Sequence, residues 1–238
     1  MFSAKKHKLF SAILLIITVV LTSTFLLYLP IITNTTSLLG FKNIQTSLLT
    51  IYQNFDGVLY IVPAKTWYST EAMSNLRLEL PLPLEYYAAH LPLYPVFIAL
   101  FAGVFGYLKS MLFTSILFSV LLAVFFYYFL RKFEITAHPL GLTIVFLMLP
   151  RFLIVRSVGA PETLFMLMVL LSVFFFEKRN LLLAGVFGAL AAPTKTPGIL
   201  LFGAYGLVFL EQINRHKKFQ WNWLFTLLIP VGLVGVCA

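Results

Sequence analysis

Four stretches of this chain, Leu9–Phe41, Leu91–Leu108, Met111–Leu130 and Phe219–Ala238, contain no Asp, Glu, Lys or Arg. Runs of about 18–20 apolar residues are long enough to cross a hydrocarbon layer as helix. Lipid offers no partner to backbone N–H and C=O groups, so spanning segments are helices or closed barrels. These runs are continuous rather than alternating, which selects helix. Only 11% of the 238 residues are charged, against about a quarter in an ordinary soluble domain. The chain reads as all-α, a polytopic transmembrane helical bundle of about seven spans.

The candidate spans are Leu9–Ile32, Met111–Leu130, Ile135–Pro150, Thr163–Phe176, Leu181–Ala192, Thr196–Leu210 and Trp223–Ala238. Basic Met1–Lys8 ahead of the first resembles a signal peptide, but the run exceeds an h-region of about 7–15 residues. It reads as an uncleaved span with a cytoplasmic N-terminus. The net charge of +9 does not point to nucleic acid. Lys and Arg gather in short clusters beside apolar runs, as topology determinants do, and line no continuous face. Cys237, alone, gives neither an intrachain disulfide nor a cysteine metal site.

Leu91–Leu108 is not counted, and charge parity is the reason. If it does not cross, Lys5, Lys6, Lys8, Arg131, Lys132, Lys178, Arg179, Arg215, Lys217 and Lys218 are cytoplasmic. Leaving out the long loop (Lys42, Lys65 and Arg77), where the rule is weak, Lys109, Arg151, Arg156 and Lys195 are then outside, ten against four. If it crosses, the tally becomes seven against seven. The positive-inside rule prefers the first, and Pro92, Pro95, Gly103 and Gly106 suit an interfacial helix. Thr33–Ser110 is therefore expected to be one long extracytoplasmic loop with juxtamembrane helices, and any chemistry faces outward.

Several residues carry candidate chemistry on that side. Asp56, the only aspartate, stands in "NFDGVLYIVPAKTWY", where it is either a base or metal ligand or a helix N-cap. Glu162, in "RSVGAPETLFM", opens a span, where the positive helix end welcomes an acid. Lys195 sits between prolines in "AAPTKTPGILL", against the positive-inside trend, either offering charge to a phosphate or snorkelling. Arg151 and Arg156 share that bias, so the three suggest an outward anion site. His90 and Tyr94, in "HLPLYP", have no metal spacing; a turn and an aromatic anchor is the plain reading. Asn34-Thr35-Thr36 forms a glycosylation sequon. No P-loop, dinucleotide fingerprint, HExxH motif or nucleophile elbow is present.

Taken in order, these segments resemble the GT-C glycosyltransferases, multi-span enzymes that use polyprenyl- or dolichyl-phosphate sugars. "NFDGVLYIVPAKTWY" stands where that family carries its catalytic acid, and "HLPLYPVFIALFAGVFGY" is similar to the start of its second juxtamembrane helix. "RSVGAPETLFMLMVLLSVFFFEKRN" resembles its second outer loop with an acid, and "LLLAGVFGALAAPTKTPGILLF" its "GLAALTKGP" turn. The resemblance covers roughly residues 1–209 and is closest in wording to the GPI mannosyltransferase II, protein mannosyltransferase and aminoarabinose-transferase groups. Phe55 replaces a Trp typical of the GPI group, and Gly57 follows Asp56 where other relatives have Glu. Family members are usually longer, and this chain stops inside an apolar run, so it reads as a truncated catalytic domain over residues 1–238.

What the resemblance implies is transfer of a hexose such as mannose from a polyprenyl- or dolichyl-phosphate donor to a hydroxyl on a glycan, lipid or protein. Asp56 would be the base. Lys195, with Arg156 or Arg151, would hold the phosphate, and His90 and Tyr94 would line the substrate site. Glu162 would orient the acceptor or, with Asp56, hold a divalent cation (Mg or Mn), the one cofactor left open. The expected setting is a cell membrane or the endoplasmic reticulum, among membrane lipids. The competing readings are a non-catalytic subunit or remnant and an amphiphile transporter.

Overall fold

The computed structural model describes residues 2–35, 37–38, 41–42, 51–52, 56–76, 83–216 and 221–237. Asn54, Phe55, Glu79, Lys217 and Lys218 lie outside them, as does the final residue of the expected last span.

The chain is helical almost throughout. Helix α1 (Phe2–Ile32) is followed by a two-residue antiparallel pairing, β1 (Ser37–Leu38) with β2 (Phe41–Lys42). Three short helices come next: α2 (Gly57–Thr66), α3 (Thr70–Ser74) and α4 (Leu84–Ala88). Then come α5 (Leu93–Phe105), α6 (Tyr107–Lys132), α7 (Pro139–Met148), α8 (Pro150–Val155), α9 (Glu162–Glu177) and α10 (Leu181–Ala191). A 3₁₀ turn, Thr196–Ile199, leads into α11 (Leu200–His216), and another, Trp221–Leu227, into α12 (Leu228–Cys237).

Among the described residues, three helical stretches are long and apolar enough to cross a membrane: His7–Ile32, Tyr107–Lys132 and Thr196–Arg215. The other apolar runs form shorter helices, for reasons visible in the chain. Pro139 opens α7, and Leu149, forced to an extended ψ of 124° ahead of Pro150, closes it after 10 residues. Gly106, at φ +75°, ends α5 and starts α6 with no other linker residue. The two helices fold back on each other, with Phe97 against Phe118 and Phe101 against Phe113 at ring distances of 4.7 and 4.9 Å. The 13 residues of α5 rise about 20 Å, short of a hydrocarbon core of about 30 Å.

Packing follows helical spacing. Ala12, Ile16, Val20 and Thr24 recur every fourth residue, share one face of α1, and are buried. The first three meet Ala123 and Tyr127 of α6 and Leu147 of α7. A second core joins α2, α5, α6, α9 and α10 around Tyr60, Tyr94, Met111, Phe118, Leu164 and Ala191.

The bundle has two chemically different ends. At one, the Lys178 ammonium stands 5.6 Å from the Phe133 ring, beside Lys132. His7 and Lys8 lie there too, next to Leu140 at the start of α7. From that end α9 rises through 16 residues, about 24 Å, to Glu162 at the other.

Candidate functional site

The end of the bundle opposite the basic cluster is built around a connection without regular structure. Val155 through Pro161 are all buried, although the segment is not helical beyond Val155. Its backbone is satisfied by hydroxyls from other helices. Ser115, on α6, reaches both the N–H and the carbonyl of Ala160 at 3.2 Å. Tyr28, on α1, donates to the Ser157 carbonyl, and the Thr24 and Ser157 hydroxyls lie 3.4 Å apart. Glu162 opens α9 directly after this anchored segment.

Lys195 comes to the same place from the other side. Its N–H donates to the Ala191 carbonyl at 3.1 Å, and its own carbonyl accepts from Gly198 at 2.9 Å, which folds the "PTKTP" turn tightly over the end of α10. The Pro193 carbonyl accepts from the Leu93 N–H at 3.1 Å, tying this turn to the start of α5. Lys195 Nζ then meets Glu162 Oε1 at 2.6 Å. Lys195 therefore does more than snorkel, and Glu162 stands in the first turn of α9, where the positive helix end favours an acid. The other carboxylate oxygen of Glu162, Oε2, is buried and has no hydrogen-bond partner among the described residues.

The segment carrying Asp56 packs against the same connection. A Cβ at Gly57 would lie 2.9 Å from the Gly159 carbonyl oxygen, so these two glycines set how closely the Asp56 turn approaches the strand of chain leading to Glu162. Asp56 occupies the N-cap position of α2, but its carboxylate makes no capping bond and it is exposed. A turn further on, Tyr60 is buried between His90 and Tyr94, edge-on to both at 4.8 and 5.1 Å. Burial raises the Tyr60 pKa above its ordinary value, and the Glu162 and Asp56 carboxylates both push it further up. One phenol thus feels both acids.

His90 and Tyr94 are held by structure rather than presented to a ligand. His90 is buried, with Nδ1 3.2 Å from the Tyr86 carbonyl. Tyr94, wholly buried, donates to the Met111 carbonyl at 2.9 Å and lies 2.7 Å from the Ser115 hydroxyl. They shape the wall behind Tyr60.

Arg156 is placed differently from the expected anion site. It is 0% exposed. Its guanidinium donates to Ser23 Oγ at 2.6 Å, Thr24 Oγ1 at 3.0 Å, the Val20 carbonyl at 3.3 Å and the Leu147 carbonyl at 3.4 Å. It fastens α1 to the α7–α8 break, and no face of it reaches solvent. Arg151 is exposed on α8 and makes no ion pair among the described residues. Of the three cations, only Lys195 pairs with a carboxylate, that of Glu162, among the described residues.

A groove of about 540 Å³ begins one turn below the ion pair. Its lining includes Phe165 and Val169 from α9, Leu122 and Phe126 from α6, Pro197 beside the Lys195 turn, and Leu201 from α11, all apolar. Between Phe165 and Val173 it runs about 12 Å along α9, away from the charged end. Charge at one end and apolar wall below suit one hydrocarbon chain with an anionic head. The chain matches no protein-family model, no curated protein and no solved structure.

Sequence reasoning named Asp56, Glu162 and Lys195 but passed over Tyr60, Ser115 and the Gly57–Gly159 approach. Tyr60 had one usable signal, its place one helical turn after Asp56. Ser115 had none, being a small polar residue inside an apolar run.

Proposed function

We propose that this chain is a multi-pass membrane glycosyltransferase that moves a sugar from a polyprenyl- or dolichyl-phosphate donor to an acceptor hydroxyl at the extracytoplasmic face. The observation that carries the reading is the Lys195–Glu162 pair, gathered with the Asp56 turn above an apolar groove. Its position opposite Lys8, Lys132 and Lys178 supports an outward site, since basic residues mark the cytoplasmic side.

In this reading the acceptor oxygen attacks the anomeric carbon while the bond from that carbon to the phosphate oxygen breaks. The bonding pair leaves with the polyprenyl phosphate, whose charge Lys195 stabilises as it grows. Asp56, exposed and unbonded at its turn, takes the acceptor proton. The groove holds the first part of the lipid chain and orients its head. The residues fit a divalent cation poorly: one Glu162 oxygen is already 2.6 Å from an ammonium, and no group of three His, Cys, Asp or Glu is assembled among the described residues. No step is routed through a metal.

The test is release of polyprenyl phosphate from a radiolabelled polyprenyl-phosphate hexose by the full chain in membranes, with and without hydroxyl acceptors. Asp56→Asn should lower the rate by about 10²–10⁴-fold, and Lys195→Met by about a hundredfold, with Lys195→Arg recovering part of the loss. Unchanged turnover in both Asp56→Asn and Lys195→Met overturns the transferase reading.

A further inference from the structure

The Lys195–Glu162 pair has a feature that a purely structural ion pair lacks. The two side chains keep 35% and 32% of their surface exposed, so an anion from outside can reach the ammonium. Pairs with this much exposure are weak and exchange readily. The ammonium has three donors, and Glu162 Oε1 is its only hydrogen-bond partner among the described residues. On the other side, Glu162 Oε2 is buried without a donor among the described residues, so the protein satisfies only half of the carboxylate there.

We infer that Glu162 is the displaceable counter-ion of Lys195, so that an anionic lipid phosphate binds by taking the ammonium from it and only then is Glu162 free to receive an acceptor hydroxyl. This rests on the transferase reading above and adds to it an order of binding: lipid phosphate first, hydroxyl second.

The physical argument has three parts. First, a phosphate and a carboxylate compete for one ammonium, because Arg156 is wholly engaged with α1 and α7 and cannot supply a second. Second, Glu162 keeps a favourable electrostatic partner when Lys195 leaves. It is the first residue of α9, where the positive helix end favours an anion. Third, once Lys195 turns to the phosphate, neither carboxylate oxygen has a protein donor among the described residues. A hydroxyl is the neutral group that fills that need without adding repulsion. Binding in the reverse order leaves the acceptor facing a carboxylate already neutralised by lysine.

The exchange predicts an effect of unusual sign. Removing the negative charge of Glu162 frees Lys195 and removes like-charge repulsion, so Glu162→Gln should bind a polyprenyl phosphate more tightly than wild type. The expected gain is roughly three- to tenfold, accompanied by a fall in kcat, because the acceptor loses its carboxylate. Glu162→Asp, which keeps the charge at the helix end but shortens its reach, should lie between the two. The measurement is equilibrium binding of a radiolabelled C55 polyprenyl phosphate to the full chain in nanodiscs, with inorganic phosphate as the parallel probe. Competition by inorganic phosphate alone would assign the site to free phosphate; failure of millimolar phosphate to compete assigns it to the lipid. Lys195→Met should abolish lipid binding.

Equal or weaker binding by both Glu162→Gln and Glu162→Asp, with wild-type binding intact and lost in Lys195→Met, overturns the exchange while leaving the transferase reading in place. Absence of wild-type binding overturns both. Tighter binding by Glu162→Gln together with a lower donor KM and a lower kcat supports the exchange, because a residue that merely steadied Lys195 would weaken binding on removal.

Discussion

The tightest backbone approach at the site, between Gly57 and Gly159, gives the most direct test of how Asp56 is held. A methyl group at Gly57 would meet the carbonyl oxygens of Gly159 and Tyr52, both at 2.9 Å. Ordinary contact begins near 3.4 Å, so each must retreat by about half an ångström, and both are backbone atoms. Overpacking of this kind costs about 1–3 kcal/mol, offset by about 0.5–1 kcal/mol because alanine favours helix over glycine. Gly57→Ala should therefore lose about 0–2.5 kcal/mol of stability. Its effect on turnover should be larger. Asp56 is the adjacent residue, and a misplacement of about 1 Å costs on the order of a hundredfold in rate. A tenfold or greater fall in release of polyprenyl phosphate is expected, with the melting temperature in detergent shifted by only a few degrees. Gly203→Ala is the matched control, since nothing lies within 4 Å of a Cβ there. It should leave turnover unchanged and raise stability by about 0.5–1 kcal/mol. Wild-type turnover in Gly57→Ala would refute the claim that this contact positions Asp56, and equal losses in the two variants would point to a general glycine effect.

Single cysteines in a Cys237→Ser background should react with an impermeant reagent from outside when placed at Asp56 or Lys195, and from the cytoplasm at Lys132 or Lys178. Outside labelling at Lys132→Cys would reverse the topology and restore the α5 run as a span. Arg156→Lys keeps a charge but drops most of four hydrogen bonds, so stability should fall by about 2 kcal/mol or more while the folded protein still binds polyprenyl phosphate. Loss of binding with unchanged stability would return Arg156 to the anion site.

The long elements were legible in the sequence because lipid leaves one solution to a charge-free apolar run. Leu9–Ile32 and Met111–Leu130 lie within α1 and α6. Glu162 and Lys195 were legible as residues, since a charge at an apolar boundary needs a reason. Their partnership was not, because it depends on the "PTKTP" turn folding back over α10 toward the first turn of α9. Arg156 shows the opposite failure. Read by type and neighbours it belongs with Arg151 in an outer loop, and nothing local marks it as buried. What buries it is a set of hydroxyls on α1, which no periodicity connects to it. Of the seven expected spans, three lie in helices of spanning length among the described residues, and one shorter case has a local reason: Pro150 cuts the run from Ile135 into α7 and α8.

The Arg156 staple also bears on how the chain is made. Ser23 is synthesised 133 residues before its partner. At about 5–20 residues per second, α1 waits roughly 7–27 seconds in the bilayer before Arg156 emerges. In the fold Ser23 also donates to the Val19 carbonyl of its own helix, a bond that α1 can make by itself. Arg156 has no such fallback. A lone guanidinium in lipid is costly, and the groups that satisfy it are already in place when it arrives. The first helix is thus a receiver for a later charge, and insertion of the α7–α9 region should stall when Ser23 and Thr24 are replaced by alanine.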